Sequence, residues 1–403
     1  MVTVRPTAAA RQGQAVKGDF AMTTRRQNLL KVFSGEVPEW VPVVGHVDPY
    51  NQPSRDAMDP QLAQALGTVG WCDESTVTFS RYLGLDIMDY LGPPLRSRRQ
   101  RTWCESIGRD PDTTTMWHTP GRELREVRRR TREDGTSYLI EHMIKGPEDL
   151  PALASIFEDE QFELDPAGVE QVLRRCQLVG DDGMLMLFMA GTPLGMLVRV
   201  YAGVQTLAYL WADCPVQLEA LFRTMERNHR RQFELAASLE GPDALVGMDD
   251  TSTSAISPAM FERFCLDYTN RIADIAHAAG KLYFHHSCGL IRDLLALYRQ
   301  TRMDAVHAFT IPPIGDVTVG EGRHRLGDRI TIIAGLMQLL SDMRNREAVA
   351  AAIATMFDEA APGDHFIPNL FADPSRNMEQ TRFVAEECRK HQRRIVNAAG
   401  TRR

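Results

Sequence analysis

Short, almost wholly apolar runs recur along the chain, at VPVVG (41–45), LGLDIM (83–88), LMLFMAG (185–191), ALVGM (244–248), KLYFH (281–285), DAVHAF (304–309), ITIIAG (330–335) and HFIPN (365–369). Most are followed by longer stretches with helical periodicity. Strands that show little polar alternation are buried on both faces, the mark of a parallel sheet covered by helices. Eight such strand–helix units predict a (β/α)8 TIM barrel. An open doubly wound sheet is the alternative, and no G-x-G-x-x-G follows a strand to support it.

Two helices are clear from local signals. MTTRRQNLLKVFSGE begins an amphipathic helix with Thr23 or Thr24 as its cap. Residues 1–22 lack a continuous hydrophobic segment and are expected to form a flexible extension, with Met22 an alternative start, so the barrel is assigned to 23–403. Further along, Ser257 caps a helix with Pro258 in its first turn and Gly280 at its end. Phe261, Phe264, Tyr268, Ile272, Ile275 and Ala279 fall on one face of it.

The region from about 102 to 143 breaks the rhythm. TREDGTSYLIEHM carries Asp134-Gly135 between alternating stretches, which predicts a β-hairpin and an antiparallel insertion beside the barrel. Arginines cluster there, at Arg96, Arg98, Arg99 and Arg101 and at Arg125, Arg128, Arg129, Arg130 and Arg132. They read either as a solvated strand face or as a docking patch for an acidic or phosphate-bearing partner.

Composition acts mainly by exclusion. The 403 residues are 43% hydrophobic and 25% charged, an ordinary globular balance. A net charge of -7 gives no reason to expect nucleic acid as a partner. No apolar run approaches the ~20 residues of a membrane span. Seven cysteines at unrelated spacings suggest no disulfide framework, hence a reducing, cytoplasmic compartment.

The candidate chemistry lies in KLYFHHSCGLI (281–291). Residues i and i+2 of a strand share a face, so His286 and Cys288 point one way and His285 and Ser287 the other. The pair ends a strand just before Gly289, where a TIM barrel carries its catalytic groups. Imidazole and thiolate are ligands that Zn²⁺ prefers. A core histidine beside a buried cysteine gives the same letters. The acidic pair Asp249 and Asp250 follows ALVGM. Alternation lets only one of the two face inward, and Asp250, nearer the loop, is the candidate for metal or catalytic duty. The pair also fits a purely capping role. His46, after the first strand, and His365 are further ligand candidates, although His365 comes at the start of its strand rather than at the mouth.

The stretch ISPAMFERFCLDYTNRIADIAHAAGKLYFHHSCGLIRDLLAL resembles the uroporphyrinogen decarboxylase-like superfamily, on the side of its methylcobalamin:coenzyme M methyltransferases. Supporting segments, in order, are EHMIKGPEDLPAL, AGTPLGMLVRVYAG, LVGMDDTSTSAISP, LGDRITIIAGLM and FADPSRNMEQ. The resemblance runs from about Thr23 to the mid-390s. It implies a TIM barrel, zinc held by the H-x-C-G residues His286 and Cys288, and methyl transfer to or from a corrinoid. The acceptor or donor would be a small molecule: a thiol, a folate or a methoxy compound. No D-x-H-x-x-G corrinoid segment is present, so the resemblance implies a separate corrinoid protein or free cobalamin. Two departures matter. Family methyltransferases often bring a cysteine from the last strand, and PGDHFIPNLFADPSRN has none. Fewer sulfur ligands make a stronger Lewis acid, which favours an oxygen-bearing methyl donor or a folate over a simple thiol. The decarboxylases carry R-Q-A-G-R near the N-terminus, whereas VPVVGHVDPYNQPSRDA offers only Arg55. A decarboxylase-like lyase and a non-catalytic corrinoid- or metal-binding protein are the alternative readings.

Overall fold

The computed structural model describes residues 23–47, 75–131, 137–336, 345–372 and 374–400, with positions 60 and 64. Eight parallel strands form the barrel. They are β1 (Val44–Val47), β2 (Ile87–Leu91), β9 (Gly183–Ala190), β10 (Ala244–Met248), β11 (Leu282–His286), β12 (Ala305–Thr310), β13 (Thr331–Gly335) and β14 (Phe366–Ala372). Their spatial order is β1-β14-β13-β12-β11-β10-β9-β2. A parallel bridge from Val44 to Asp86 brings the two ends together, so the α/β barrel is nearly closed. Every apolar run read from the sequence falls on one of these strands. The first starts at Val44 rather than residue 41 because the Val41 N–H donates to the carbonyl of Gln392 in the C-terminal helix.

Burial on both faces explains the unbroken apolar runs. Met88, Met186, Val246, Phe284, Ala305 and Ile333 fill the barrel interior. Leu185, Leu187, Leu245, Tyr283, Val306 and Ile332 face the helical layer. The lower end is plugged. Helix Arg25–Phe33 starts with a capping box between Thr24 and Gln27 and sends Leu29, Val32 and Phe33 into the interior cluster. Phe33 stacks on Phe284 at 5.0 Å. Among the described residues, no such plug fills the other end, where the strands finish.

The helix expected over 258–280 is two helices, Pro258–Phe264 and Leu266–Ala278. The break falls at Cys265, whose buried thiol donates to Thr192 Oγ1 at 3.5 Å. Ser257 caps the first segment through Met260 N, and Gly280 follows the second at φ +69°.

The insertion is larger than one hairpin. Strands β4 (Trp103–Arg109), β5 (Asp112–His118), β6 (Glu123–Arg130) and β7 (Ser137–Glu141) form a four-stranded antiparallel sheet. A separate antiparallel pair joins β3 (Leu95–Arg98) to β8 (Gln161–Leu164). All seven residues of β4 are exposed, so no period-two burial signal marks it in the sequence. The Asp134-Gly135 turn lies outside the described residues. Most of the clustered arginines face acidic partners: Arg96 and Arg98 with Glu163, Arg99 with Glu160, Arg101 with Asp159, Arg125 with Glu141, Arg129 with Asp112. This is the solvated, paired strand face rather than an open cationic patch. No helix of the described residues is long and apolar enough to cross a membrane.

Candidate metal centre

The upper interior of the barrel is built by strand alternation. Tyr90, Phe188 and Met248 continue the inward-facing set, and Tyr90 stacks on Phe188 at 4.3 Å. His286 ends β11 level with Met248 on one side and His307 on the other. After the strand ends, Gly289 takes φ +85°, a conformation suited to glycine, and its N–H donates to Thr310 Oγ1 at 3.1 Å. This turn holds Cys288 beside the mouth.

Asp250, His286 and Cys288 converge there. One donor atom from each lies within 4.8 Å of the others. The Cys288 thiol donates to Asp250 Oδ1 at 3.3 Å, and His286 Nε2 stands 3.9 Å from the same oxygen. Burial, then the Asp250 charge and this hydrogen bond, push the Cys288 thiol up to about 11, so it is protonated without a metal. Arg199, in the π-helical turn Leu197–Tyr201, approaches Asp250 Oδ2 at 3.4 Å and donates to the Met248 carbonyl at 3.1 Å.

Asp249 turns the other way. Its carboxylate is buried and accepts from Thr192 N at 2.8 Å and Asp250 N at 3.0 Å. Burial raises its pKa to about 6. One member of the acidic pair thus braces the loop and the other faces the mouth. The outward pair at the end of β11 behaves alike. His285 and Ser287 both meet Thr251 Oγ1, at 2.9 and 3.3 Å. Burial holds His285 neutral, with its pKa down at about 4.

One sequence candidate falls elsewhere. His365 precedes β14, and its N–H donates to Val32 O while Thr331 Oγ1 lies 3.2 Å from its Nδ1. That is the plugged end of the barrel, so His365 is not a ligand at the mouth. The reason is polarity: a residue before a parallel strand sits opposite the residues that end its neighbours. His46 is the third residue of β1, opposite Phe371, and its side chain lies outside the described residues. Two residues near the site were missed, Arg199 and His307. The His286 and His307 Nδ1 atoms are 2.9 Å apart. A count from each strand start was the available signal, since both histidines end up on inward-facing positions of adjacent strands.

Comparison with known proteins adds a family to this geometry. The family model for uroporphyrinogen decarboxylase (URO-D) matches residues 133–390, well over half of the chain. A uroporphyrinogen decarboxylase from Myxococcus xanthus (strain DK1622) is 24% identical over 234 residues, 55% of this chain. The chain spans 63% of that relative's length. The solved structure of a methyltransferase from Methanosarcina mazei superposes with a TM-score of 0.60 at 14% identity, over 91% of this chain and 98% of that one. At that identity the likeness is one of fold. With well over half of its length matched by the family model, and with the barrel that the family resemblance implied, the chain belongs to the uroporphyrinogen decarboxylase (URO-D) family.

Proposed function

We propose that this enzyme of the URO-D family is a zinc-dependent methyltransferase that moves a methyl group between a corrinoid and a small molecule. The observation that carries the reading is the convergence of Asp250, His286 and Cys288 at the only end of the barrel not plugged by the Arg25–Phe33 helix among the described residues.

The donor set fits zinc. A carboxylate oxygen, an imidazole nitrogen and a thiol sulfur are its usual ligands, and three of them leave a fourth position open. The thiol must lose its proton on loading, which makes zinc affinity rise with pH. Bound there, zinc would act as a Lewis acid toward a thiol, a folate or an oxygen-bearing methyl donor. The chain's own residues do the rest. Arg199 braces Asp250 against the loop. Tyr90, Phe188 and Met248 line the interior just below the mouth. One sulfur ligand, rather than two, favours the oxygen-bearing donor or folate over a simple thiol. The corrinoid would come as free cobalamin or on a separate protein. The six described cysteines are all free thiols, which supports a cytoplasmic setting.

Likeness to the Myxococcus xanthus decarboxylase favours a lyase as the second reading. Against it stands the missing arginine-rich segment: a polycarboxylate substrate needs bidentate cations. The test is the visible spectrum of methylcobalamin, or of Co(I) cobalamin with methyl donors, incubated with zinc-loaded enzyme and a panel of thiols, tetrahydrofolate and aryl methyl ethers. Demethylation or methylation of the cobalt that His286→Ala abolishes is expected. Equal turnover by His286→Ala overturns the proposal.

A further inference from the structure

His307 sits on an inward-facing position of β12, and the backbone directly after it is irregular. The ladder between β12 and β13 pairs Val306 with Ile332 and then Phe309 with Ala334, so β12 holds one extra residue. Such a bulge re-aims a side chain. Ala308, inside it, has φ +60°, a left-handed conformation that residues with a Cβ avoid and that clusters at functional sites. His307 itself keeps regular register with His286 on β11, two residues after the inward-facing Ala305. Its Nδ1 is 2.9 Å from His286 Nδ1, with ring centroids 5.1 Å apart, and it packs edge-to-face with Phe188 at 5.8 Å.

Two ring nitrogens at that distance share a single proton, because each imidazole nitrogen is either a donor or an acceptor. His307 is 8% exposed and stays neutral there, since an unpaired charge is costly to bury. His286 presents its other nitrogen, Nε2, to Asp250 and Cys288. A ligating histidine needs an outer acceptor on its second nitrogen to hold the correct tautomer and ring plane. His307 is not itself a ligand, since the donor group within 4.8 Å among the described residues holds only Asp250, His286 and Cys288.

We propose that His307 is a positioning residue that accepts the His286 Nδ1–H and so keeps the Nε2 lone pair of His286 turned toward the metal. The proposal rests on the zinc reading above and extends it to a residue outside the donor set. Alternation from Ala305 aims His307 inward, and the bulge at Ala308 follows it directly.

The experiment is metal titration of the full chain with Zn²⁺ and with Co²⁺, whose visible spectrum reports thiolate ligation and geometry. Four proteins are compared: wild type, His307→Phe, His307→Leu and His307→Asn. Phenylalanine keeps the ring shape against Phe188 and removes the acceptor, and leucine serves if phenylalanine disturbs folding. Asparagine retains a polar amide near the Nδ1 position. Circular dichroism and melting check the fold of each. Expected is a 10–100-fold loss of affinity in the phenylalanine or leucine variant at unchanged stoichiometry, with asparagine within about threefold of wild type. Wild-type affinity without the acceptor overturns the proposal, and so does asparagine as weak as phenylalanine. A wild-type chain that binds neither ion overturns the zinc reading itself, a separate result.

Discussion

Replacing Gly195 with alanine tests how the mouth is held together. A Cβ at this position lies 1.5 Å from Asp249 Oδ1 and 2.6 Å from its Cγ. Non-bonded heavy atoms settle roughly 3.5 Å apart, so about 2 Å of movement is needed. The carboxylate cannot simply turn aside. It is buried and held by the N–H groups of Thr192 and Asp250. Gly195 is equally fixed, because its own N–H donates to Thr192 Oγ1 at 3.0 Å. Overpacking costs about 1–3 kcal/mol, and a lost hydrogen bond to a charged group adds about 1.5–3 kcal/mol. Gly195→Ala is therefore expected to lose about 2.5–6 kcal/mol in urea unfolding followed by circular dichroism, at unchanged m-value. In an Asp249→Ala background the clash is gone, so the cycle should show coupling of at least about 1 kcal/mol. Wild-type stability for Gly195→Ala, or strict additivity, refutes the role assigned to Asp249 as the brace that sets the Asp250 loop.

Three further outcomes are expected. Arg175 and Asp89 form a buried ion pair at 2.7 Å, so Arg175→Met should cost about 3–5 kcal/mol in the same assay by removing the cation beside a buried carboxylate. Burial holds His229 neutral with its pKa down at about 4, against 6.5 in the unfolded chain. Its contribution is present above about pH 6.5 and is lost as pH falls toward 4, about 3 kcal/mol in all, so His229→Gln should flatten the acid limb of stability against pH. Ala308→Gly relieves a left-handed backbone worth about 1–2 kcal/mol and adds back about 0.5–1 kcal/mol of chain entropy. Its melting temperature should hold or rise, where a glycine in an ordinary strand lowers it.

The barrel was legible because its strands are buried twice over. Met186 faces inward and Leu185 and Leu187 outward, and all three are apolar, so the run stands out without alternation. The meander was half hidden for the opposite reason: β4 is exposed on both faces and leaves no hydrophobic signature. Within the site, His286 and Cys288 could be read because their relation is local, two residues apart at a strand end. Asp250 was separated from Asp249 by the same alternation. His307 meets His286 only through the register between β11 and β12, which is set by long-range pairing. Arg199 depends on a π-helical turn that brings its guanidinium over the end of β10. His365 shows the converse: a ligand-type residue on the right strand but at its wrong end.

Zinc content is the direct measure of the site. The purified full chain is loaded with zinc, dialysed extensively and analysed by plasma mass spectrometry beside Cys288→Ala. One zinc per wild-type chain is expected, falling to none in the variant while circular dichroism and melting stay those of a folded barrel. A wild-type chain that retains no zinc, or a Cys288→Ala chain that retains as much as wild type, contradicts the metal centre at the barrel mouth.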